Sequence, residues 1–174
     1  NQDLQISSYF LNYEIMTLID IHQPTTDEVI DHLFRAPAFT EDRREIIREG
    51  IKAYLNNNHI VAAHVLIPQI EHALRHLIEL MDRPIYKKGR NGLQRLILLD
   101  EILRDDAIIQ YFGDDIIYYF RVLFTESLGW NLRNDTCHGF IPSKMFTSEV
   151  TDRIFHSLLV IALVRPAKDD KVNE

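Results

Sequence analysis

One short segment, residues 133–139 with the sequence RNDTCHG, concentrates the residue types that handle a phosphate group. An arginine offers a planar fork of hydrogen-bond donors that fits phosphate oxygens. A histidine has an ordinary pKa of about 6.5, so it can take up or release a proton near neutral pH. A side chain that acts as a general acid or base accelerates a reaction roughly 100- to 10,000-fold. Arg133 and His138 are therefore the first candidates for catalysis.

The spacing of these two residues predicts a bend in the backbone. Five positions along a continuous helix correspond to about 140°, so Arg133 and His138 would then lie on different faces. Turn formers bracket the segment at Gly129 and Pro142. We therefore expect a bent approach to a last helix, where free backbone N–H groups would favour an anion such as phosphate. A structural alternative stays open, in which both side chains cap carbonyl groups and pair with Asp135.

The elements that must position this segment are predicted to be helices almost throughout. Only 6 Gly and 6 Pro interrupt the chain, and apolar residues recur mostly at three- and four-residue spacing. The helix expected over residues 59–81 is strongly apolar, so we expect it at the centre of the bundle. Pro68 should produce a kink or a break in it. Together the long helices predict an all-α, antiparallel four-helix bundle. Their expected bounds are 59–81, 93–112, 114–128 and 147–164.

An additional helical segment is expected before the bundle. A weak helical pattern covers residues 4–21, a capping-box sequence at Thr25 and Glu28 opens a short helix, and Thr40 opens another. No strand is expected. The predicted organisation is an N-terminal helical extension over residues 1–58, the bundle over 59–165 and a polar tail over 166–174.

Composition limits the class of partner. Lys and Arg number 19 and Asp and Glu 26, so the net charge is −7 and a contact with nucleic acid must be local. A single cysteine excludes an internal disulfide framework and fits a reducing compartment. The longest nearly apolar run, residues 158–164, is far short of the roughly 20 residues that span a bilayer. We expect a cytoplasmic protein without a membrane contact. The chain opens on Asn1 and not on Met, which leaves open a processed fragment or the C-terminal part of a longer protein whose N-terminal domain is missing.

The string RNxxxHG at residues 133–139, placed between the last two helices of a predicted bundle, resembles the signature of HEPN-type domains. In particular, it is similar to an uncharacterised family that is defined by an Arg-Asn-x-x-x-His-Gly string. The flanking Leu132 and Phe140 suit this family as well. The resemblance covers about residues 59–165 and does not extend to residues 1–58.

The resemblance implies a metal-independent endoribonuclease without a cofactor, of the kind found among toxins and defence proteins. By this analogy the ribose 2′-hydroxyl attacks the adjacent phosphate, and the products carry 2′,3′-cyclic phosphate ends. His138 moves a proton, Arg133 stabilises the charge that builds on phosphorus, and Asn134 is the family's polar residue. One histidine does not easily serve as both base and acid, so the resemblance also implies a C2 homodimer in which two motifs face one cleft. Some toxins of the group carry a modifiable tyrosine where this chain has Phe140, so that form of control is not expected.

A basic patch is the predicted route for RNA. Residues 83–95 contain five basic residues and no acidic one. Within this stretch Lys87, Lys88 and Arg90 are predicted to contact RNA, and Tyr86 could stack on a base. The alternative is a solvated loop between two helices.

Other readings of the sequence stay open. The domain could bind RNA or a nucleotide without cutting it, or it could serve only as a structural or dimerisation module of a larger protein. Glu71 and Arg75, one turn apart, are expected to form an ordinary ion pair. A nucleophilic pair of Cys137 and His138 is disfavoured because adjacent side chains point to different sides.

A metal site is a further alternative, although we expect none. His72, His76 and Glu79 share one helix face at the spacing of metal ligands. Such a site would need carboxylates from a facing helix. The candidates are Asp100, Glu101 and Asp105.

Overall fold

Helices form every long element of the computed structural model, which describes residues 2–89 and 92–165. The expected all-α helical bundle is therefore confirmed. The helices are α1 (Gln2–His22), α2 (Thr26–Leu33), α3 (Arg44–Leu55), α4 (His59–Leu80), α5 (Leu99–Ile102), α6 (Asp106–Phe112), α7 (Asp114–Phe124), α8 (Leu132–Cys137) and α9 (Ser148–Ile161). Two 3₁₀ turns (Glu41–Arg43 and Ser143–Met145) and the strands β1 (Tyr86–Lys88) and β2 (Gln94–Leu96) complete the described elements.

The helix α4 is the centre of the core, as the sequence predicts. It packs against α3, α9, α5 and α8. Its apolar residues Leu66, Ile70 and Leu74 are fully buried, and a buried side chain of this size contributes about 1.5–3 kcal/mol. The helix continues through Pro68, which is exposed, so the alternative of a break at this residue is wrong.

The helices of residues 2–58 share one apolar core with the rest of the chain. The helix α1 packs on α9, α2 packs on α3, and α3 packs on α4. Ile30 and Ile51 are fully buried within the same cluster as the residues of α4. The predicted capping box at the start of α2 is confirmed, since the Thr25 hydroxyl accepts from the Glu28 amide and the Glu28 carboxylate accepts from the Thr25 amide.

The stretch 93–112 is not one helix, contrary to the prediction. It contains β2, α5 and α6, and β2 pairs antiparallel with β1. After β2 the chain is extended, with Ile97 and Leu99 buried and Leu98 exposed between them. A new helix begins after Asp105, whose carboxylate accepts from the Ala107 amide at 3.0 Å. The expectation that the chain has no strand is therefore also wrong.

Among the helices of the described residues, none has the length and apolar character needed to cross a lipid bilayer.

Candidate functional site

The segment that carries the motif forms the short helix α8. It begins after Asn131, which lies in the left-handed region at φ 51°, and asparagine tolerates this conformation better than most residues. It ends at Gly139, which has φ 71°. The Phe140 amide donates to the Asp135 carbonyl at 2.8 Å and the Gly139 amide to the Thr136 carbonyl at 3.1 Å, which is the Schellman pattern of a helix end.

The predicted bend between Arg133 and His138 is absent, and that prediction is wrong. The helix includes Arg133, and His138 still has near-helical backbone angles of φ −94° and ψ 0°. The chain turns only at Gly139, because a glycine there adopts positive φ without strain. Five helical positions separate the two residues by about 140° around the axis and about 7.5 Å along it. One chain therefore directs these two side chains to different faces of α8.

Arg133 is anchored to the central helix by Glu71. Its Nε donates to one carboxylate oxygen of Glu71 at 2.8 Å and its Nη2 to the other at 3.5 Å. Burial alone would lower the pKa of Arg133, but the hydrogen bonds and the negative charge of Glu71 outweigh it and raise this pKa above its ordinary value. The guanidinium therefore stays charged, and its orientation is fixed by a carboxylate that is only 8% exposed.

Glu71 also accepts a hydrogen bond from Arg75, so one buried carboxylate holds two guanidinium groups. The expected pair of Glu71 and Arg75 is confirmed, but it is part of a larger network. Arg75 donates through Nε and Nη2 to the Ile97 carbonyl at 3.3 and 3.2 Å. The network thus connects α8, α4 and the segment that follows β2. The local pattern around Glu71 gave no signal for its contact with Arg133, which lies 62 residues away in sequence.

Asn134 stands beside Arg133 at the wall of a cleft of about 300 Å³. Its side-chain oxygen accepts from Arg133 Nη1 at 3.2 Å, and its Nδ2 donates to the Asn131 oxygen at 2.8 Å. The lining of the cleft also carries charge of both signs away from the motif, because Arg104 pairs with Asp100 at 3.0 Å and with Glu126 at 3.4 Å. The cleft is lined by Leu98, Leu99, Asp100, Arg104, Thr125, Glu126, Ser127, Arg133 and Asn134.

His138 is exposed and does not line this cleft. Its imidazole has no hydrogen bond to another described side chain, and its nearest aromatic neighbour is Phe140, with ring centroids 6.0 Å apart. Phe140 is 75% exposed and lines a second hollow, of about 700 Å³, together with Trp130 and Met145. The structure therefore brings Arg133 and Asn134 together and leaves His138 open to solvent.

The predicted RNA contacts Lys87 and Lys88 lie on β1, whereas Arg90 falls outside the described residues. The described residues of the basic stretch include the paired strands β1 and β2, which the prediction of a loop between two helices did not foresee. Two cations of the basic stretch contact Glu101. Arg95 donates hydrogen bonds to its carboxylate at 2.6 and 2.9 Å, and the Lys87 ammonium lies 3.6 Å from it. The hydrogen bond from Arg95 is the main cause that lowers the pKa of Glu101 to about 2.

The metal alternative gains no support from the geometry. Two of the candidate ligands contact each other directly, since Nδ1 of His76 lies 3.2 Å from the carboxylate of Glu79. The candidate carboxylates on the other side pair with arginines, as in the contact of Asp105 with Arg83 at 2.9 Å. Within residues 2–89 and 92–165, no group of three or more His, Cys, Asp or Glu residues is placed to hold a metal ion.

Comparisons with known proteins found no matching family model, no similar curated protein and no similar solved structure. The resemblance to HEPN-type domains is therefore carried by the motif residues themselves.

Proposed function

We propose that this chain is a metal-independent endoribonuclease of the HEPN type, in which two copies of α8 act on one RNA phosphodiester. The observation that carries the proposal is the state of Arg133. Three of its five N–H groups bond to Glu71 and Asn134, so two remain without a partner among the described residues, beside a cleft that is open to a substrate. A charged and oriented donor of this kind suits the charge that builds on phosphorus.

In the proposed reaction the ribose 2′-oxygen forms a bond to phosphorus, and the bond from phosphorus to the 5′-oxygen breaks. The imidazole of His138 from one copy takes the proton of the 2′-hydroxyl, and that of the second copy gives a proton to the leaving 5′-oxygen. Arg133 stabilises the charged phosphorus centre, while Asn134 holds the guanidinium in place. The products are a 2′,3′-cyclic phosphate and a free 5′-hydroxyl.

The geometry of α8 supports the requirement for a second copy. Because Arg133 and His138 of one chain point to different faces, one copy does not readily place both of them and a second proton-transfer group on the same phosphate. His138 is exposed, so a second copy can reach it without rearrangement of the core. A symmetric dimer supplies the missing groups from the same surface of its partner.

A second candidate is a module that binds RNA without cutting it. It is favoured by one observation, namely that His138 does not line the cleft that Arg133 and Asn134 share. A module of this kind would bind single-stranded RNA, with weaker binding after Arg133→Lys, and would release no cyclic phosphate.

The test is a cleavage assay with single-stranded RNA in the presence of EDTA, with analysis of the new ends. We expect wild-type protein to cut, to leave 2′,3′-cyclic phosphates and to sediment as a dimer. His138→Ala should lower the rate at least about 100-fold, since a general acid or base contributes that much. The matched control is His32→Ala on α2, another exposed histidine, which should cut at the wild-type rate.

Two results would contradict the nuclease. One is cutting that stops when EDTA is added, which would point to metal chemistry. The other is cutting that survives His138→Ala unchanged. Binding of RNA by the wild type with no cutting at all would replace the nuclease by the second candidate.

A further inference from the structure

The β1–β2 hairpin presents two faces of different character. Its strands pair Tyr86 with Leu96, Lys87 with Arg95 and Lys88 with Gln94. Side chains that are directly opposite in an antiparallel pair share a face, and successive residues alternate between faces. One face therefore carries the middle pair alone, and the other carries the two outer pairs. We call the second one the Tyr86 face; it consists of Tyr86, Lys88, Gln94 and Leu96.

The two cations of the middle pair already share one carboxylate. The Glu101 carboxylate takes two hydrogen bonds from Arg95 and lies 3.6 Å from the Lys87 ammonium. These contacts hold the hairpin against the start of α5. Lys87 and Arg95 therefore have a carboxylate neighbour already, which weakens their attraction for a second anion.

The Tyr86 face has no such partner. The Tyr86 ring is 53% exposed and Leu96 is 42% exposed. Lys88 is exposed and forms no ion pair with any residue in the described part of the chain. An open aromatic ring beside an unpaired ammonium is the combination that binds single-stranded nucleic acid, because any base can stack on the ring while the cation contacts the backbone. Strands of three residues offer few free backbone groups, which argues against the addition of a protein strand.

The hairpin is also coupled to the motif. The Ile97 amide, directly after β2, donates to the Ile85 carbonyl at 2.9 Å, and the Ile97 carbonyl accepts from Arg75. Arg75 in turn holds Glu71, and Glu71 holds Arg133. A strand of RNA on the hairpin would thus lie on a part of the fold that is fixed relative to the guanidinium.

We propose that the Tyr86 face binds single-stranded RNA and leads it toward the cleft of Arg133, with one base stacked on Tyr86 and one phosphate on Lys88. The inference rests on the proposed function, since it takes RNA as the polymer. It narrows the sequence-based expectation, because it assigns RNA contact to Lys88 and withdraws it from Lys87.

The test measures binding without cleavage. The probe is a fluorescent 2′-O-methyl oligouridine of about 12 nucleotides, within the known range of single-strand sites, and its affinity is followed by polarisation over a series of salt concentrations. This probe lacks the attacking hydroxyl, so the protein can bind it but cannot cut it. Tyr86→Ala should weaken binding about 5- to 150-fold, the range that one stacked base contributes, whereas Tyr86→Phe should retain it. Lys88→Ala should weaken binding and reduce the salt slope by about 0.7.

Lys87→Ala is the matched control, with the same charge change on the same strand. It should weaken binding less than Lys88→Ala does, because its ammonium already lies 3.6 Å from the Glu101 carboxylate. All these side chains are exposed, and unchanged far-UV circular dichroism will show that the variants are folded. The inference is overturned if wild type does not bind the probe, if Tyr86→Ala binds it fully, or if Lys87→Ala loses as much affinity as Lys88→Ala.

The two proposals can fail separately. A chain that binds the probe through Tyr86 but never cuts ordinary RNA would remove the nuclease and leave the binding face. A chain that cuts RNA and yet binds the probe equally well after Tyr86→Ala would remove the binding face and leave the nuclease.

Discussion

The replacement of Glu71 by glutamine tests whether its carboxylate holds α8 against α4. Glu71 is 8% exposed and accepts hydrogen bonds from Arg133 and Arg75. Glutamine has nearly the same shape, but one oxygen becomes an NH₂ group that cannot accept a hydrogen bond. The guanidinium groups of Arg133 and Arg75 would then lie close together, partly buried, without the negative charge of Glu71 between them.

The magnitude follows from the burial of the three side chains. Loss of one member of a buried ion pair costs about 3–5 kcal/mol. The side chains of Arg133 and Arg75 keep 20% and 16% of their exposure, and glutamine keeps one acceptor, so water and this acceptor offset part of the loss. We expect Glu71→Gln to lower the free energy of unfolding by about 2–3 kcal/mol. For a chain of this size the melting temperature should fall by about 4–12 °C.

The assay is equilibrium unfolding in urea, followed by circular dichroism at neutral pH. The matched control is Glu79→Gln on the same helix, whose side chain is 47% exposed and pairs with His76, and it should cost less than about 1 kcal/mol. Addition of Arg133→Met to Glu71→Gln should recover about 1 kcal/mol, because it removes one surplus charge. Equal costs for Glu71→Gln and Glu79→Gln, or strict additivity with Arg133→Met, would refute the role given to this carboxylate.

Two further predictions concern packing and pH. Gly50→Ala would place a Cβ atom 2.4 Å from Cδ2 of Leu66, which is fully buried, so the free energy of unfolding in urea should fall by about 1–3 kcal/mol. The pKa of Glu101 is lowered to about 2, mainly by Arg95, so its ionisation stabilises the fold above about pH 4.5 and this contribution is lost as the pH falls to about 2. The stability of Glu101→Gln should therefore decline less steeply than that of wild type over this range in acid titrations of the unfolding free energy.

Each of these predictions has an outcome that contradicts it. Alanine is normally the better helix former, by about 1 kcal/mol relative to glycine. A gain in stability for Gly50→Ala would therefore show that Leu66 moves aside freely. Parallel acid profiles for wild type and Glu101→Gln would show that the contact with Arg95 does not persist in solution.

The helical fold could be predicted from the sequence because its main signal is local. The apolar positions of α4 recur at helical spacing and are buried as expected, and the capping residues Thr25 and Glu28 mark the start of α2. The prediction of one helix over 93–112 is wrong because the leucines and isoleucines of this stretch also recur at helical spacing. In the structure these apolar residues belong to an extended segment and two short helices. A strand of three residues shows too short an alternation to be recognised in the sequence.

The candidate site could be located in the sequence but its geometry could not. The spacing of Arg133 and His138 correctly implied different faces if the helix is straight. The bend was inferred from the idea that both side chains must meet one phosphate. Whether the chain turns before or after His138 depends on where the positive φ falls, and only the structure places it at Gly139. The contact of Arg133 with Glu71 could not be predicted for another reason. The two residues are 62 positions apart, and a contact over this distance produces no periodic pattern in the sequence.

The shortness of α8 has a thermodynamic consequence. A helix of six residues is well below the roughly 12–15 residues that an isolated helix needs in water. Its packing against α4 and α7 therefore stabilises α8. Asn131 and Gly139 have positive φ and interrupt the helical backbone on either side of α8. The positions of Arg133 and His138 therefore depend on the contacts of α8 with α4 and α7.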